Sequence, residues 1–282
     1  MKVAFQGIKG AYSEQAAYRF YGRKIETVSF DSFDEVFQSV VSKSVDSGVV
    51  PVENTIAGSV VENYDLMLSS DTTVVAEVYQ PICHCLLANS NASLSTIKKA
   101  YSHPHALKQC KDFLKTHGIT AQPLYDTAGA ACQVAEWDRT DYAAIASELC
   151  AEIYNMKIVA KDIQSNSSNT TRFFIIVATG QISENGRAEK TTLAFATKHA
   201  PGALVDALKI FQKHRLNLTR LESRPIPENP WEYVFYTDFE GGLHEPSAKN
   251  AIDELRSKAA FVKILGNYVK GKKFVCSAKG VS

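Results

Sequence analysis

The chain has 282 residues, which is long enough for a large hydrophobic core and more typical of two domains than of one. Its 31 Lys and Arg residues nearly balance its 30 Asp and Glu residues, so the charge gives no reason to expect a nucleic acid or an anionic membrane as partner. The N-terminus lacks the features of a signal peptide, and no apolar run reaches the length of a membrane-spanning helix. We therefore expect a cytoplasmic protein.

The first part of the chain alternates short predicted strands with amphipathic helices. "SEQAAYRFYG" is predicted to be a helix with Ser13 as its N-cap and Gly22 as its end, and "SFDE", from Ser32, is a capping box that opens a second helix. A single helix is predicted over 105–118. The predicted strands are "KVAFQG", "TVSF", "SGVVPV", "TVVAEVY", "CHCLLA", "YAAIA" and "FFIIV". Strands that alternate with helices are typical of an α/β fold with parallel sheets.

The pattern changes after residue 179. Residues 180–190, "GQISENGRAEK", are polar and show no apolar periodicity, which predicts a linker. The predicted elements then follow the order βαββαβ over about eighty residues, which is the ferredoxin-like plan. The sequence therefore predicts an α/β region at 1–179, a linker at 180–190, a second domain at 191–270 and a tail at 271–282.

Two polar clusters accompany the first predicted strands. "GAYSEQ" places Ser13 at a helix N-terminus, where backbone amides favour an anion, although an ordinary N-cap explains Ser13 equally well. "PVENTIAGS" follows a buried strand, where α/β sheets bind ligands. This segment contains more hydrogen-bonding side chains than a turn requires. A functional role and a structural role are equally supported for four of its residues, Glu53, Asn54, Thr55 and Ser59.

Two further clusters follow along the chain. His103 and His105 in "SHPHAL" have a spacing that suits no strong metal motif, and "CHC" at residues 83–85 lacks the second ligand pair of a zinc site. "NTTR" precedes a buried strand and ends in Arg172, whose planar fork suits a carboxylate, while the threonine hydroxyls can donate hydrogen bonds. Together the clusters predict a cleft for a small, oxygen-rich anion and no metal site.

The motifs "GAYSEQ", "PVENTIAGSV", "SHPHAL", "NTTRF", "PGAL" and "NLTRLESRP" occur in the order found in prephenate dehydratases. The resemblance extends from roughly Lys2 to Tyr268. It implies a catalytic region of two α/β lobes similar to periplasmic binding proteins, with the active site between the lobes. It also implies a C-terminal ACT domain that binds phenylalanine, and a dimer or tetramer that needs neither metal nor organic cofactor. The sequence departs from the family at His105, where glutamine is more usual.

The resemblance also implies roles for individual residues. A prephenate dehydratase expels CO2 and the ring hydroxyl of its substrate, which carries two carboxylates. Thr171 matches the essential threonine, Arg172 is the expected carboxylate clamp, and Glu53 is a candidate proton donor provided that it is buried. Substrate binding is expected from Ser13, Asn54, Thr55, Ser59 and Thr170.

The regulatory residues expected from the resemblance lie in the second domain. Phenylalanine binds between paired ACT domains, so one chain would supply a loop and the other a strand. The loop residues are Gly202, Ala203 and Leu204, the strand residues are Asn217 and Leu218, and the residues that order the neighbouring loop are Glu222, Ser223 and Arg224.

Two other functions remain open from the sequence. The first is arogenate dehydratase, whose substrate carries an amino group where prephenate has a keto group, and no residue decides between the two. The second is a phenylalanine sensor without catalysis, against which the intact "TRF" argues. A DNA-binding regulator is less favoured still, because no helix-turn-helix segment or basic stripe is present.

Overall fold

The computed structural model describes residues 1–180, 187–226 and 229–273. These ranges form two α/β lobes followed by a C-terminal domain with the order βαββαβ, which confirms the predicted architecture. None of the helices in the described ranges is long and apolar enough to cross a membrane.

The first lobe is built from residues 1–81 and 170–180, because the chain leaves this lobe and returns to it for one strand. Its elements are β1 (Lys2–Gln6), α1 (Tyr12–Tyr21), β2 (Glu26–Phe30), α2 (Phe33–Val41), β3 (Ser47–Asn54), β4 (Gly58–Ser59), α3 (Val61–Ser69), β5 (Thr72–Pro81) and β11 (Thr170–Ala178). β1 is parallel to β2 and β3, whereas β11 is antiparallel to its neighbours β3 and β5. The prediction of parallel strands is therefore confirmed for β1, β2 and β3 and wrong for β11, because the returning strand runs in the opposite direction.

The second lobe lies between the connecting segments 82–84 and 161–169. Its elements are β6 (Cys85–Ala88), β7 (Lys99–Ser102), α4 (Pro104–Gln109), α5 (Lys111–Thr116), β8 (Thr120–Pro123), α6 (Thr127–Trp137), β9 (Tyr142–Ala146), α7 (Glu148–Ile153) and β10 (Lys157–Ala160). The strands form a separate sheet in the order β10-β6-β9-β7-β8. The single helix predicted over 105–118 is divided at Cys110, whose φ of −101° and ψ of 11° break the helical geometry.

The C-terminal domain packs its two helices on one face of its sheet and the first lobe on the other. Its elements are β12 (Lys190–Ala196), α8 (Ala203–Lys213), β13 (Leu218–Ile226), β14 (Asn229–Glu240), α9 (Pro246–Lys258) and β15 (Phe261–Val269). Phe211 and Leu255 of the helices share a core with Phe195 and Phe239 of the strands. On the other face, Tyr236 and Tyr268 join a core that contains Tyr64 and Phe174 of the first lobe.

The sheets of the first lobe and the C-terminal domain are continuous. β15 lies beside β5 in parallel, with Gly266 opposite Val74, and the combined sheet has the order β13-β14-β12-β15-β5-β11-β3-β1-β2. A Cβ atom on Gly266 would lie 2.5 Å from the carbonyl oxygen of Val74. Glycine is therefore required for the close approach of these two strands.

Two local predictions differ from the structure. The N-cap of α1 is Ala11, two residues earlier than predicted, so Ser13 is buried in the first helical turn and does not cap the helix. The carboxylate of Glu14 accepts the backbone amide of Gly10 at 2.6 Å instead. The strand predicted over 173–177 begins at Thr170, so both threonines belong to the sheet.

Two other local predictions are confirmed, and two fall partly outside the described residues. The capping box of Ser32 and Glu35 and the end of α1 at Gly22 are confirmed. Of the predicted linker, residues 181–186 lie outside the described residues, as do residues 274–282 of the predicted tail.

Candidate active site

Strand β11 directs Thr171 and Arg172 to opposite faces of the sheet. Side chains alternate along a strand, and β11 is hydrogen-bonded on both sides, with Thr171 opposite Asn54 of β3 and Gln80 of β5. A strand held by two neighbours cannot rotate about its axis. The two residues that the resemblance expects to act on one substrate therefore have different surroundings.

The hydroxyl of Thr171 accepts a hydrogen bond from Asn54. The Nδ2 atom of Asn54 lies 2.9 Å from Oγ1 of Thr171 and 2.8 Å from Oδ1 of Asn169. The Oδ1 atom of Asn54 accepts the backbone amides of Ile56 and Ala57 at 2.9 and 2.8 Å, as in an Asx-turn. Because Asn54 can only donate to Thr171, the proton of the Thr171 hydroxyl remains available for another acceptor.

Thr55 and Thr170 lie in the same cluster and hold the loop after β3 against the start of β11. The Thr55 amide donates to the carbonyl oxygen of Thr170 at 3.0 Å, and the Thr170 amide donates to Oγ1 of Thr55, also at 3.0 Å. The structure thus brings four of the predicted residues together. Their contact with a substrate stays a prediction.

Residues that the sequence analysis did not identify extend this cluster toward the second lobe. Asn169 donates to Oε1 of Gln109 in α4 at 3.1 Å, and the same oxygen lies 2.8 Å from Nε2 of His84. Nδ1 of His84 lies 2.9 Å from the hydroxyl of Tyr12 in α1. Burial lowers the pKa of His84 to about 4, so its imidazole is neutral at pH 7.

Glu53 does not meet the condition set for a proton donor. Its side chain is 46% exposed, and one carboxylate oxygen lies 3.8 Å from Nη1 of Arg172. The role of donor was conditional on burial, and the Glu53 side chain is in contact with solvent. The prediction that Glu53 acts as a buried, protonated donor is therefore not supported by its position.

Arg172 is buried at the junction of the first lobe and the C-terminal domain. Its Nε donates to Glu77 of β5 at 2.7 Å, its Nη1 donates to Asp238 of β14, and its Nη2 donates to the hydroxyl of Tyr268 at 2.9 Å. Lys190 donates to the same Glu77 carboxylate at 3.0 Å, so two positive and two negative charges balance. We call these five residues the junction cluster. The predicted role of Arg172 as a substrate clamp conflicts with this position, because protein carboxylates already occupy its fork.

The charges of the junction cluster are stabilised by one another. Burial alone would lower the pKa of Arg172, but the Asp238 carboxylate and its other neighbours raise that pKa well above its ordinary value. Burial alone would raise the pKa of Asp238, but Arg172 and Lys190 outweigh it and lower that pKa. Both groups are therefore charged over the physiological pH range.

Acid should weaken the junction through Asp238. Because the pKa of Asp238 is lower in the folded chain, its contribution to stability is present above the unfolded pKa of about 3.9 and is lost as the pH falls through the folded pKa. We expect Asp238→Asn to unfold at lower urea concentration at pH 7, with a deficit on the order of 1–3 kcal/mol. This deficit should stay constant down to about pH 5 and shrink below about pH 4. Urea titrations across this pH range would contradict the assignment if the deficit did not change.

Ser59 contacts the C-terminal domain rather than Thr171. Its hydroxyl donates to Glu222 of β13 at 2.8 Å and accepts from Nη2 of Arg220 at 2.9 Å. Arg224 of the same strand forms an ion pair with Asp65 of α3 at 3.1 Å. Glu222 and Arg224, which the resemblance expects near the effector, therefore connect β13 to the first lobe, and the exposed Ser223 lies between them.

The loop before α8 lines a cavity of about 220 Å³ in the C-terminal domain. Its walls include Gly202, Ala203 and Leu204 together with Tyr233 and Phe235. Asn217 and Leu218 are not part of these walls, and Asn217 donates to Glu240 at 3.2 Å. Within one chain the predicted loop and strand residues are therefore separate, and their meeting across two chains stays a prediction.

Charged residues inside apolar strands were the sequence signal for the junction cluster. Glu77 interrupts "TVVAEVY", and Asp238 interrupts "VFYTDFE". A charged residue is almost never fully buried unless it is paired, so each of these two carboxylates indicates a partner of opposite charge. No comparable signal pointed to His84 or Gln109, because their contacts with Tyr12 and Asn169 depend on the tertiary fold.

Comparisons with known proteins agree with the division of the chain into an α/β region and a C-terminal domain. The family model for prephenate dehydratase matches residues 3–181, and the model for the ACT domain matches residues 191–257. Arogenate dehydratase/prephenate dehydratase 2 of Arabidopsis thaliana, a chloroplastic protein, is 40% identical over 95% of this chain and 72% of its own.

Two solved structures share the whole fold. Prephenate dehydratase from Arthrobacter aurescens in complex with L-Phe is 27% identical, with a TM-score of 0.88 over 99% of this chain and 93% of its own. GqqA, described as a novel type of quorum quenching acylase, is 31% identical, with a TM-score of 0.89 over 96% of this chain and 98% of its own. The family match covers well over half of the chain, and the chain belongs to the prephenate dehydratase family with a C-terminal ACT domain.

Proposed function

We propose that this protein converts prephenate to phenylpyruvate, CO2 and water and that Thr171 assists the departing hydroxyl. In this reaction the bond between the ring and its carboxylate breaks, its electrons make the ring aromatic, and the ring hydroxyl leaves with a proton as water. The observation that supports Thr171 is the hydrogen bond from Asn54, which leaves the Thr171 proton available. A threonine is too weak an acid for full ionisation, so the hydroxyl donates a hydrogen bond or relays a proton to the leaving oxygen.

The substrate is tested by offering prephenate and arogenate to the same enzyme. Ultraviolet absorbance follows the aromatic product, and kcat/KM is measured for each substrate. A larger value for prephenate supports the proposal, and a larger value for arogenate supports arogenate dehydratase, an activity that the Arabidopsis relative carries in its name. Phenylalanine binding without turnover of either substrate would favour the sensor.

We further propose that L-phenylalanine binds the cavity before α8 in a dimer or tetramer and inhibits the enzyme. The cavity is lined by apolar residues such as Leu204 and Phe235 and by polar ones such as Lys198, which suit the ring and the charged groups of an amino acid, and a neighbouring chain would supply Asn217 and Leu218. An effector changes activity only through its different affinities for two states, with coupling of typically about 1–3 kcal/mol. Light scattering during gel filtration would give the number of chains with and without phenylalanine.

Gly202→Val should abolish phenylalanine binding and inhibition while turnover without phenylalanine is largely retained. Within the described residues, and apart from its two chain neighbours, nothing lies within 4 Å of a Cβ built at Gly202, so the added side chain would occupy the space left for the ligand. Gly202 has a φ of 83°, which strains any other residue. Calorimetry with phenylalanine and inhibition assays measure the effect.

Gly118→Val is the matched control for this prediction. Gly118, after α5 in the second lobe, has a φ of 65° and the same open space around a Cβ, so it carries a comparable strain far along the chain from α8. This variant should bind phenylalanine normally. Normal inhibition of the Gly202 variant would place the effector site elsewhere.

A further inference from the structure

A chain of hydrogen bonds runs from α1 of the first lobe through the second lobe to Thr171. It passes from Tyr12 through His84, Gln109, Asn169 and Asn54, and we call these five residues the inter-lobe chain. Asn54 belongs to the first lobe and Gln109 to the second, while His84 and Asn169 lie in the two segments that connect the lobes. The chain therefore passes through both connections between the lobes.

The direction of each hydrogen bond follows from the backbone after β3. The Oδ1 atom of Asn54 is fixed as an acceptor by the amides of Ile56 and Ala57, so Nδ2 must face Asn169 and Thr171. Oδ1 of Asn169 is then the acceptor of this bond. Nδ2 of Asn169 must consequently donate to Gln109, whose Oε1 is its acceptor at 3.1 Å.

The same argument fixes the tautomer of His84. Oε1 of Gln109 cannot donate, so the His84 nitrogen that lies 2.8 Å from it, Nε2, carries the proton. Burial keeps the ring neutral, and Nδ1 is therefore an acceptor for the Tyr12 hydroxyl at 2.9 Å. That hydroxyl also lies 2.8 Å from the carbonyl oxygen of Cys83, so its proton is shared between two acceptors.

We propose that His84 is a positioning residue of the proposed dehydratase reaction, which acts on Thr171 through Gln109, Asn169 and Asn54. The Nε2 proton of His84 holds the Gln109 oxygen toward Asn169. Ile56 and Ala57 set the direction of the Asn54 amide, and Asn169 fixes how closely its Nδ2 group approaches Thr171. The Thr171 hydroxyl is thereby kept as an acceptor from the protein and a donor to the substrate. Loss of the His84 donor frees the Gln109 amide to turn, which displaces Asn169 and, through the hydrogen bond from Asn54, shifts the position of the Thr171 hydroxyl.

The variants His84→Asn and His84→Gln distinguish the contributions of the two ring nitrogens, Nδ1 and Nε2. An Asn side chain reaches about as far as Nδ1 and keeps the contact with Tyr12, whereas a Gln side chain reaches about as far as Nε2 and can donate to Gln109. We expect His84→Asn to lower kcat about 10–100-fold with little change in KM, because small misplacements of a reacting group cost this much. His84→Gln should recover most of that loss.

A double-mutant cycle with Thr171→Val shows whether His84 acts through Thr171. His84→Asn should lower kcat less than about twofold in the Thr171→Val background, because groups that act as a unit are strongly non-additive. An equal loss in both backgrounds would overturn the proposal and leave His84 a structural residue. Unchanged kcat of His84→Asn, together with a large loss in Thr171→Val, would also overturn it while leaving the proposed function intact. Normal turnover of Thr171→Val would instead overturn the proposed function.

Tyrosine variants provide a matched control and a test that disturbs packing little. Tyr154→Phe removes another hydrogen bond between the lobes, from the Tyr154 hydroxyl to the carbonyl oxygen of Lys9 at 2.8 Å, which does not lead to Thr171. We expect Tyr154→Phe to keep the wild-type kcat and Tyr12→Phe to lose several-fold. If neither His84 variant folds, the comparison of Tyr12→Phe with Tyr154→Phe tests the proposal. Equal kcat values in these two variants would overturn it.

Discussion

Thr171→Val should fold normally and turn over prephenate about 10²–10⁴-fold more slowly than the wild type, the usual range for a positioned proton-transfer group. Valine has nearly the same shape as threonine and suits a central strand, so the substitution removes the hydroxyl and little else. Asn54 loses its acceptor, but its Nδ2 group keeps the bond to Asn169. Steady-state kinetics, with circular dichroism to check the fold, measure the effect.

Two controls limit the interpretation of Thr171→Val. Thr171→Ser keeps the hydroxyl and should lose much less activity. Thr170→Val makes the same change one residue earlier, on the opposite face of β11, where the backbone rather than the side chain bonds to Thr55. If Thr170→Val lost as much as Thr171→Val, the catalytic hydroxyl would be assigned to the wrong threonine.

Arg172→Met should lower the free energy of unfolding by about 3–5 kcal/mol, because it leaves buried charges without their partner. Glu77 would keep Lys190, but Asp238, which is completely buried, would lose the guanidinium that lowers its pKa. Methionine fills a similar volume, so the loss comes from the charge rather than from a cavity. Urea unfolding measures it.

Arg224→Met is the matched control for Arg172→Met. Arg224 and its partner Asp65 are 49% and 38% exposed, and an exposed ion pair contributes about 0–1 kcal/mol. We expect little change in stability from this variant. If Arg172→Met had wild-type stability and a greatly reduced kcat/KM instead, the clamp predicted from the resemblance would be favoured over the junction cluster.

The sequence predicted the elements of the fold well where local signals were strong. The capping box at Ser32 and the stop at Gly22 depend on a few neighbouring residues, and both are confirmed. The N-cap at Ser13 is wrong because the helix already begins at Tyr12, where Glu14 of the first turn holds the preceding Gly10 through its backbone amide. The direction of β11 was not predictable, because it depends on how the chain returns from the second lobe.

The sequence predicted which residues belong to the candidate site, but not which residues they contact. The polar residues Asn54 and Thr171 were identified before the fold was known, and they lie in hydrogen-bond contact. Arg172 and Ser59 were identified by the same motifs, yet each has a partner in the C-terminal domain, more than 60 residues further along the chain. A motif shows which residues are unusual, whereas the alternation of a strand determines which of them face the same way.

The pairing of β5 with β15 has a consequence for the modular character of this chain. The two family matches end and begin in the interval between residues 181 and 191, which suggests two units that could be separated there. The hydrogen bonds of β15 nevertheless cover the flank of β5, and Gly266 allows the contact. Without the C-terminal domain, β5 would become an open edge with unpaired amides and carbonyls, a template for self-association that proteins normally protect. The C-terminal domain therefore also covers an edge strand of the first lobe. Removing it would expose a strand edge that is available for pairing with another chain.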